Sequence, residues 1–539
     1  MVRLKASLWF LFFLISIQLK GSFGSESSKE AAYVTLLYGD EFLLGVRVLG
    51  KSIRDTGSNK DMVALVSDGV SEYSKKLLKA DGWKVEKISL LANPNQVHPT
   101  RFWGVYTKLK IFNMTDYKKV VYLDADTIVV KNIEDLFKCS KFCANLKHSE
   151  RLNSGVMVVE PSEVLFNDMM RKVKTLSSYT GGDQGFLNSY YPDFPNARVF
   201  DPSLTPEVLK TRPVPDMERL STLYNADVGL YMLANKWMVD DSKLHIIHYT
   251  LGPLKPWDWW TAWLVKPVDA WQSIRVKLEE TLPGTGGGKN QSDELVVKLL
   301  FLLPLCVLLF CIYRSIQGLQ GSLCRSSLFN QIRYLYYKVR SNGTLGYSGV
   351  STLSNINPSY QLHNGAYSKV PQHLGAISVL VCFTAVLISI GISFMIVPRQ
   401  IMPWTGLILV YEWTFTIFLL LFGFFLLLVH QHGKKVGIQT ESSSLDDSSK
   451  GHQRGGVSCD VTTLYYGLGM VFLAVAAVSL PYIFGITALF TRLGLMVGVA
   501  IILAAFMTYA SEHLAIRWFL KGLEDRRDTS RSKSMCFLC

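Results

Sequence analysis

Hydrophobic positions fall into three regimes along this chain. The first is one apolar run, Ala6 to Leu19, behind Arg3 and Lys5. It has the length of a signal-peptide core and is short for a membrane span, and the small residues Ser22 and Gly24 suit cleavage. Residues 1–24 are expected to be a signal peptide or a short anchor; either delivers the next segment to the secretory lumen. Over residues 25–283, short β-rich runs alternate with helical patterns. Tyr33–Tyr38 (YVTLLY) predicts a strand, Phe42 to Ile53 a helix, and Met62–Ser67 (MVALVS) a second strand ending at Asp68-Gly69. Val120–Val130 (VVYLDADTIVV) predicts a third. Such alternation implies an α/β domain on a mostly parallel open sheet, which binds ligands beyond the carboxyl ends of its strands.

The third regime comes after a flexible Gly284–Gly288 stretch (GTGGG) inside a linker, residues 284–294. Apolar runs occupy Leu295–Tyr313, Ala376–Val397, Trp404–His430, Leu464–Ile486 and Leu493–Ser511. Each approaches or exceeds the ~20 residues that cross a bilayer core. They predict an all-α membrane domain over residues 295–511 with five spans. The loop at 314–375 holds Arg314, Arg325, Arg333, Lys338, Arg340 and Lys369 with no Asp or Glu, and the tail at 512–539 is also basic. Five spans from a lumenal domain put both segments in the cytosol, as the positive-inside rule asks.

Composition sharpens this picture. A mean hydropathy of +0.20 and 49% hydrophobic residues exclude a disordered or collagen-like chain. The net charge of +13 would invite a nucleic-acid reading if it lay on the α/β domain. It does not: acidic and basic residues balance from Ser25 to Glu294, and the excess flanks apolar runs. No nucleic-acid partner is expected. Of nine cysteines only Cys139 and Cys143 fall in the lumenal part, at a spacing that permits a local bridge. Zinc spacing lacks a second Cys/His pair. Cys536-Phe-Leu-Cys539 has a loose prenylation shape that would add little to an anchored chain.

The densest chemical signal is Asp124-Ala125-Asp126, directly after the apolar Val120–Leu123. Two carboxylates at a bending strand end suit a hard divalent cation, Mn²⁺ or Mg²⁺ rather than Zn²⁺. A metal there would stabilise the charge developing on a departing diphosphate. Alone, D-x-D is a common surface pattern. Here Thr107-Lys108-Leu109 precedes it, and Asn153-Ser154-Gly155, Gly181-Gly182-Asp183-Gln184-Gly185, His248, Gly252 and Lys255-Pro256-Trp257 come after it.

In order and spacing this set resembles the family-8 retaining glycosyltransferases, the glycogenin-like group with a GT-A nucleotide-diphospho-sugar fold. The resemblance spans roughly Tyr33 to Trp257, with one extra residue between His248 and Gly252 and Thr180 where some members carry Asp. It implies Asp124, Asp126 and His248 as ligands of Mn²⁺, with Ala125 between the two carboxylates. It also implies Lys108, Gly252 and Lys255 near the diphosphate or sugar, Asn153, Ser154, Asp183 and Gln184 in the sugar pocket, and Tyr38 against the uracil. His248 as a core histidine, Lys108 on a solvated helix face and Tyr38 as core are the plain alternatives; His245 is left without a role. The family implies retention at the anomeric carbon, by front-face displacement or through a short-lived adduct on Asp183 or Gln184.

Five spans are more than anchoring needs, and Trp257, Trp259, Trp260, Trp263 and Trp271 crowd the end of the α/β domain. That cluster either rests at the membrane interface, implying a lipid acceptor, or packs under a loop. The wording RFWGVYTKLKIFNMTDYKKVVYLDADT and the multi-span C-terminus resemble the plant branch that glucuronosylates sphingolipid headgroups. This implies UDP-glucuronate as donor and inositol phosphorylceramide as acceptor, in a Golgi membrane. The competing expectations are a cell-wall polysaccharide such as xylan as acceptor, or a scaffold or transporter with an inactive domain. Few intramembrane charges (Lys298, Glu412, Arg492) speak for transport. Sequons at Asn113 and Asn290 would be lumenal, and that at Asn342 cytosolic.

Overall fold

The computed structural model describes residues 31–94, 104–147, 150–204, 213, 215–282, 292–319, 370–442 and 461–524. The N-terminal apolar run, the glycine linker, most of the basic loop and the sequons at Asn290 and Asn342 lie outside the described residues. The chain divides into two compact units, Met1–Asp293 and Glu294–Cys539.

The first unit is built on an eight-stranded sheet in the order β3-β2-β1-β4-β7-β6-β9-β8. These strands are β1 (Ala31–Leu37), β2 (Asp61–Val66), β3 (Lys84–Lys87), β4 (Lys119–Leu123), β6 (Phe142–Leu146), β7 (Leu152–Val159), β8 (Arg198–Val199) and β9 (Met217–Leu220). Strand β1 is buried at all seven positions, the mark of a central strand covered on both faces. Alternate residues feed opposite layers. Tyr33 and Leu37 pack with Val46 and Leu49 of the helix Leu43–Asp55, whereas Val34 and Leu36 pack with Phe112, Tyr122 and Phe186. Pairing is parallel through β3, β2, β1 and β4, and β6, β9 and β8 are mutually parallel. Strand β7 runs antiparallel to both β4 and β6, so the sheet is mixed.

The run Val120–Val130 is two strands rather than one. After β4 the chain turns at Asp124–Asp126, and β5 (Thr127–Val129) enters a second, three-stranded sheet of order β10-β11-β5. There β11 (Ile246–His248) lies antiparallel to β5 and parallel to β10 (Ala226–Asp227). His248 thus faces Thr127 on one side and Asp227 on the other. Continuous β-propensity hid the break, because a turn made by two aspartates costs little beside the pairing each half gains.

Cys139 and Cys143 form a disulfide. The tryptophan cluster is largely interior. Trp257, Trp259 and Trp271 are buried, and Trp257 and Trp271 pack with Val48, Tyr249 and Val268. A bilayer-resting role does not fit those three rings; Trp260 and Trp263 are half-buried.

Among the described residues of the second unit, four helices are long and apolar enough to cross a membrane, within Leu374–Ile396, Pro403–Ser442, Val461–Ile483 and Leu489–Glu524. The first expected span lies on the helix Ser292–Leu319, whose apolar stretch Leu295–Val307 is shorter. Three polar side chains of this unit bond to residues remote in sequence: Tyr411 donates to the Ala474 carbonyl (2.9 Å), Trp413 to that of Leu300 (3.1 Å) and Thr414 to Ser393 (3.0 Å). A Cβ at Gly433 would come within 2.3 Å of the Phe519 carbonyl oxygen, and one at Gly522 within 2.2 Å of that of His430. The bare glycines let two helix backbones approach closely.

One glycine of the first unit meets the same limit. A Cβ on Gly45 would fall 2.5 Å from the Ala125 carbonyl oxygen and 2.6 Å from Cζ3 of Trp257. Neither neighbour is a flexible tip, so Gly45→Ala is expected to cost about 1–3 kcal/mol. Thermal unfolding of the solubilised full chain checks this; a midpoint equal to the parent's would show that the helix shifts freely.

Candidate metal and sugar-nucleotide site

The turn after β4 aims two carboxylates the same way. The Asp124 amide donates to the Gly155 carbonyl (2.8 Å), and the Thr127 amide and hydroxyl donate back to the Asp124 carbonyl (3.0 and 2.7 Å). The Tyr249 amide donates to the Asp126 carbonyl (2.9 Å), tying the turn to the end of β11. One ligand atom each from Asp124, Asp126 and His248 lies within 4.8 Å of the others. Nε2 of His248 is 3.3 Å from Asp126 and 4.0 Å from Asp124.

The tautomer of His248 is set by its surroundings. Asn153 donates to Gln184 (3.0 Å), and its Oδ1 accepts from the Gly155 amide (3.1 Å) and from Nδ2 of Asn225 (2.9 Å). Asn225 therefore turns its Oδ1 to Nδ1 of His248 (2.9 Å), which must donate. In the neutral ring Nε2 then presents a lone pair to two carboxylates, an arrangement that calls for a cation between them. Two oxygen ligands and one imidazole suit a divalent metal, and the donor set fits one. Gly155 makes the approach possible, since a Cβ there would lie 2.1 Å from Cε1 of His248.

Two lysines complete the corner. Buried Lys108, on the helical turns Val105–Asn113, reaches Asp124 (3.0 Å) and Asp183 (3.1 Å). Lys255 reaches Asp126 (2.6 Å). Ser154 donates to Asp183 (2.8 Å), and Tyr122 to Asp124 (2.8 Å). Burial works against charging any of these groups, and the outcome differs by partner. At Asp126 burial is outweighed by the Lys255 ammonium, so its carboxyl is held well below the usual range. At Asp124 burial wins over Lys108, with Asp126 adding to it, and the carboxyl is pushed up. Burial opposes the Lys108 charge, but Asp124 and Asp183 raise its pKa regardless.

Of the residues expected from the sequence, Lys108, Asp124, Asp126, Asn153, Ser154, Asp183, Gln184, His248 and Lys255 are brought together. Ala125 is buried between the ligands, its carbonyl against Gly45. Gly252 holds a positive φ of 60° in the loop between His248 and Lys255. Tyr38 stands one residue past β1, half-buried, with its ring 5.2 Å from that of Phe42. His245 is structural, stacked on Tyr224 and bonded to the Asn132 carbonyl. Asn225, Tyr122 and the Lys147–Asp227 pair (3.1 Å) were not foreseen. Asp227 was legible as a helix cap, since it accepts from the amides of Gly229 and Leu230. Nothing local to Asn225 announces it; only the β10–β11 pairing brings it to His248.

Because Asn225 fixes the imidazole rather than binding metal itself, Asn225→Leu is expected to weaken divalent-cation affinity about 10–100-fold. Mn²⁺ titration of the full chain checks this, and an affinity equal to the parent's would remove Asn225 from the site.

A family model described as "Glycosyl transferase family 8" matches residues 33–145. Over 541 residues, covering 100% of both chains, the sequence is 89% identical to inositol phosphorylceramide glucuronosyltransferase 1 of Arabidopsis thaliana. It is 35% identical over 178 residues to UDP-glucuronate:xylan alpha-glucuronosyltransferase 1 of the same plant, covering 33% of this chain and 27% of that one. Among solved structures, the galactosyltransferase LgtC with donor and acceptor sugar analogs aligns at 17% identity and a TM-score of 0.33, over 45% of this chain and 94% of its own. The full-length identity settles the family: the chain is a glycosyltransferase and belongs to glycosyl transferase family 8.

Proposed function

We propose that this enzyme transfers glucuronic acid from UDP-glucuronate to inositol phosphorylceramide, a membrane sphingolipid, with retention at the anomeric carbon. The observation that carries this reading is the 89% identity with the Arabidopsis enzyme over the whole chain, membrane helices included. The xylan enzymes match only a minor part of the chain, which favours the lipid over the polymer as acceptor.

Asp124, Asp126 and His248 would hold Mn²⁺. Bound there, the ion supplies Lewis-acid stabilisation of the departing diphosphate. Lys255 adds a compact positive charge at the same edge. Lys108 orients Asp183 through their 3.1 Å ion pair, while Ser154 fixes the other side of that carboxylate. Asp183 and Gln184 bind the sugar, and Tyr38 lies against the uracil with Gly252 shaping the loop over the diphosphate. The catalytic unit would lie in the Golgi lumen behind a signal peptide or short anchor, with five spans and a cytosolic C-terminus.

Membranes carrying the enzyme, given UDP-glucuronate and inositol phosphorylceramide, are expected to form the glucuronosylated lipid. Chelator stops it, Mn²⁺ restores it, and Asp126→Ala lowers the rate at least about 100-fold, as loss of a group that stabilises developing charge does. Transfer to xylan and not to lipid would replace the acceptor. Transfer that survives chelation would remove the metal.

Orientation has its own check. Asn113 is exposed in the catalytic unit and is expected to carry a glycan, whereas Asn342 is expected to carry none. A glycan on Asn342 would overturn the span count.

A further inference from the structure

A glucuronate differs from a glucose by its C6 carboxylate, and a site that distinguishes the two needs a cation or hydrogen-bond donor placed to meet that group. Three lysines at or beside the metal-ligand cluster are already matched: Lys108 by Asp124 and Asp183, Lys255 by Asp126, and Lys147 by Asp227. Arg151 differs from them. Among the described residues no carboxylate lies within ion-pair distance of it, and its guanidinium instead sits 3.8 Å from the centroid of the Tyr179 ring.

Its place is defined by the chain on both sides. Arg151 precedes β7 by one residue and Asn153 by two, a spacing that puts the two on one face of extended chain. The Arg151 carbonyl accepts from the Lys147 amide (2.9 Å), closing the β6–β7 hairpin. Tyr179 is held in turn, since Nε2 of Gln184 donates to its hydroxyl (3.0 Å) while Oε1 of Gln184 accepts from Asn153 (3.0 Å). One chain of contacts thus runs Arg151, Tyr179, Gln184, Asn153. Stacking on an aromatic face orients a guanidinium plane and leaves its N–H edge available, and that edge matches a carboxylate with two parallel hydrogen bonds.

We propose that Arg151, oriented by Tyr179, binds the C6 carboxylate of the donor sugar and selects glucuronate over neutral hexoses. This rests on the donor class proposed above and names the residue that reads it.

The test measures kcat/KM for UDP-glucuronate and UDP-glucose, with inositol phosphorylceramide in membranes, for the parent, Arg151→Gln, Arg151→Lys and Tyr179→Leu. The ratio of the two constants is expected to fall about 10–100-fold in Arg151→Gln, the size of a lost hydrogen bond to a charged group. Arg151→Lys should recover part of the ratio, and Tyr179→Leu should lower it less. Equal losses on both donors would mean a structural role and overturn the assignment, as would an unchanged ratio. A parent that uses no UDP-glucuronate would sink the donor reading, and Arg151's role with it. A parent that uses it, beside an unchanged ratio in Arg151→Gln, would sink the Arg151 assignment alone.

Discussion

An imidazole whose Nδ1 proton is committed to Asn225 turns a lone pair toward Asp124 and Asp126, and much of the catalytic unit is arranged around that contact. Three acids, Asp124, Asp126 and Asp183, share this corner with two ammonium groups, Lys108 and Lys255. Burial forbids leaving such an excess unanswered. A divalent cation would answer it and leave the corner net positive, which suits a diphosphate ligand. The asymmetry between a raised Asp124 and a depressed Asp126 has the same origin, because Asp124 shares its lysine with Asp183 while Asp126 has Lys255 to itself.

Holding the contact requires features that look unrelated in isolation. The three-stranded sheet sets His248 beside Thr127, so the ligand turn and the histidine are cross-strand neighbours rather than loop acquaintances. Gly155 leaves the space the ring occupies. The hydrogen bonds from Gln184 through Asn153 and Asn225 to His248 fix the tautomer and tie the residues beside Asp183 to the candidate metal ligands in one network. A network in which every member is satisfied is rigid, and rigidity is what a site that stabilises developing charge needs.

Much of this was legible in the sequence, and the gaps have physical causes. Local patterns exposed β1, β2, the helix after β1 and the aspartate pair, because each is a statement about neighbours in the chain. The resemblance across ordered motifs gave His248 and Asp183, which are distant in sequence. What stayed hidden depends on pairing between remote strands: the split of Val120–Val130 into two sheets, and Asn225 on β10's edge. The tryptophans misled for a related reason. Composition alone does not distinguish a ring at an interface from one in a core, and at Trp257 and Trp271 the core won.

That burial gives Trp257 a different part to play. Its ring and the Ala125 carbonyl both lie against the bare Cα of Gly45. The first belongs to the loop that carries Lys255, the second to the turn that carries Asp124 and Asp126. Two segments more than a hundred residues apart in sequence are thereby seated on one spot of the helix Leu43–Asp55, and the 2.6 Å pair between Lys255 and Asp126 spans the gap between them. The helix itself is tied down by its own buried pair, Arg47 to Asp81 at 2.6 Å. A change in the helix's position would therefore reach the metal-ligand turn and the lysine loop together, and the carboxylate and its ammonium would keep their distance only if both moved alike.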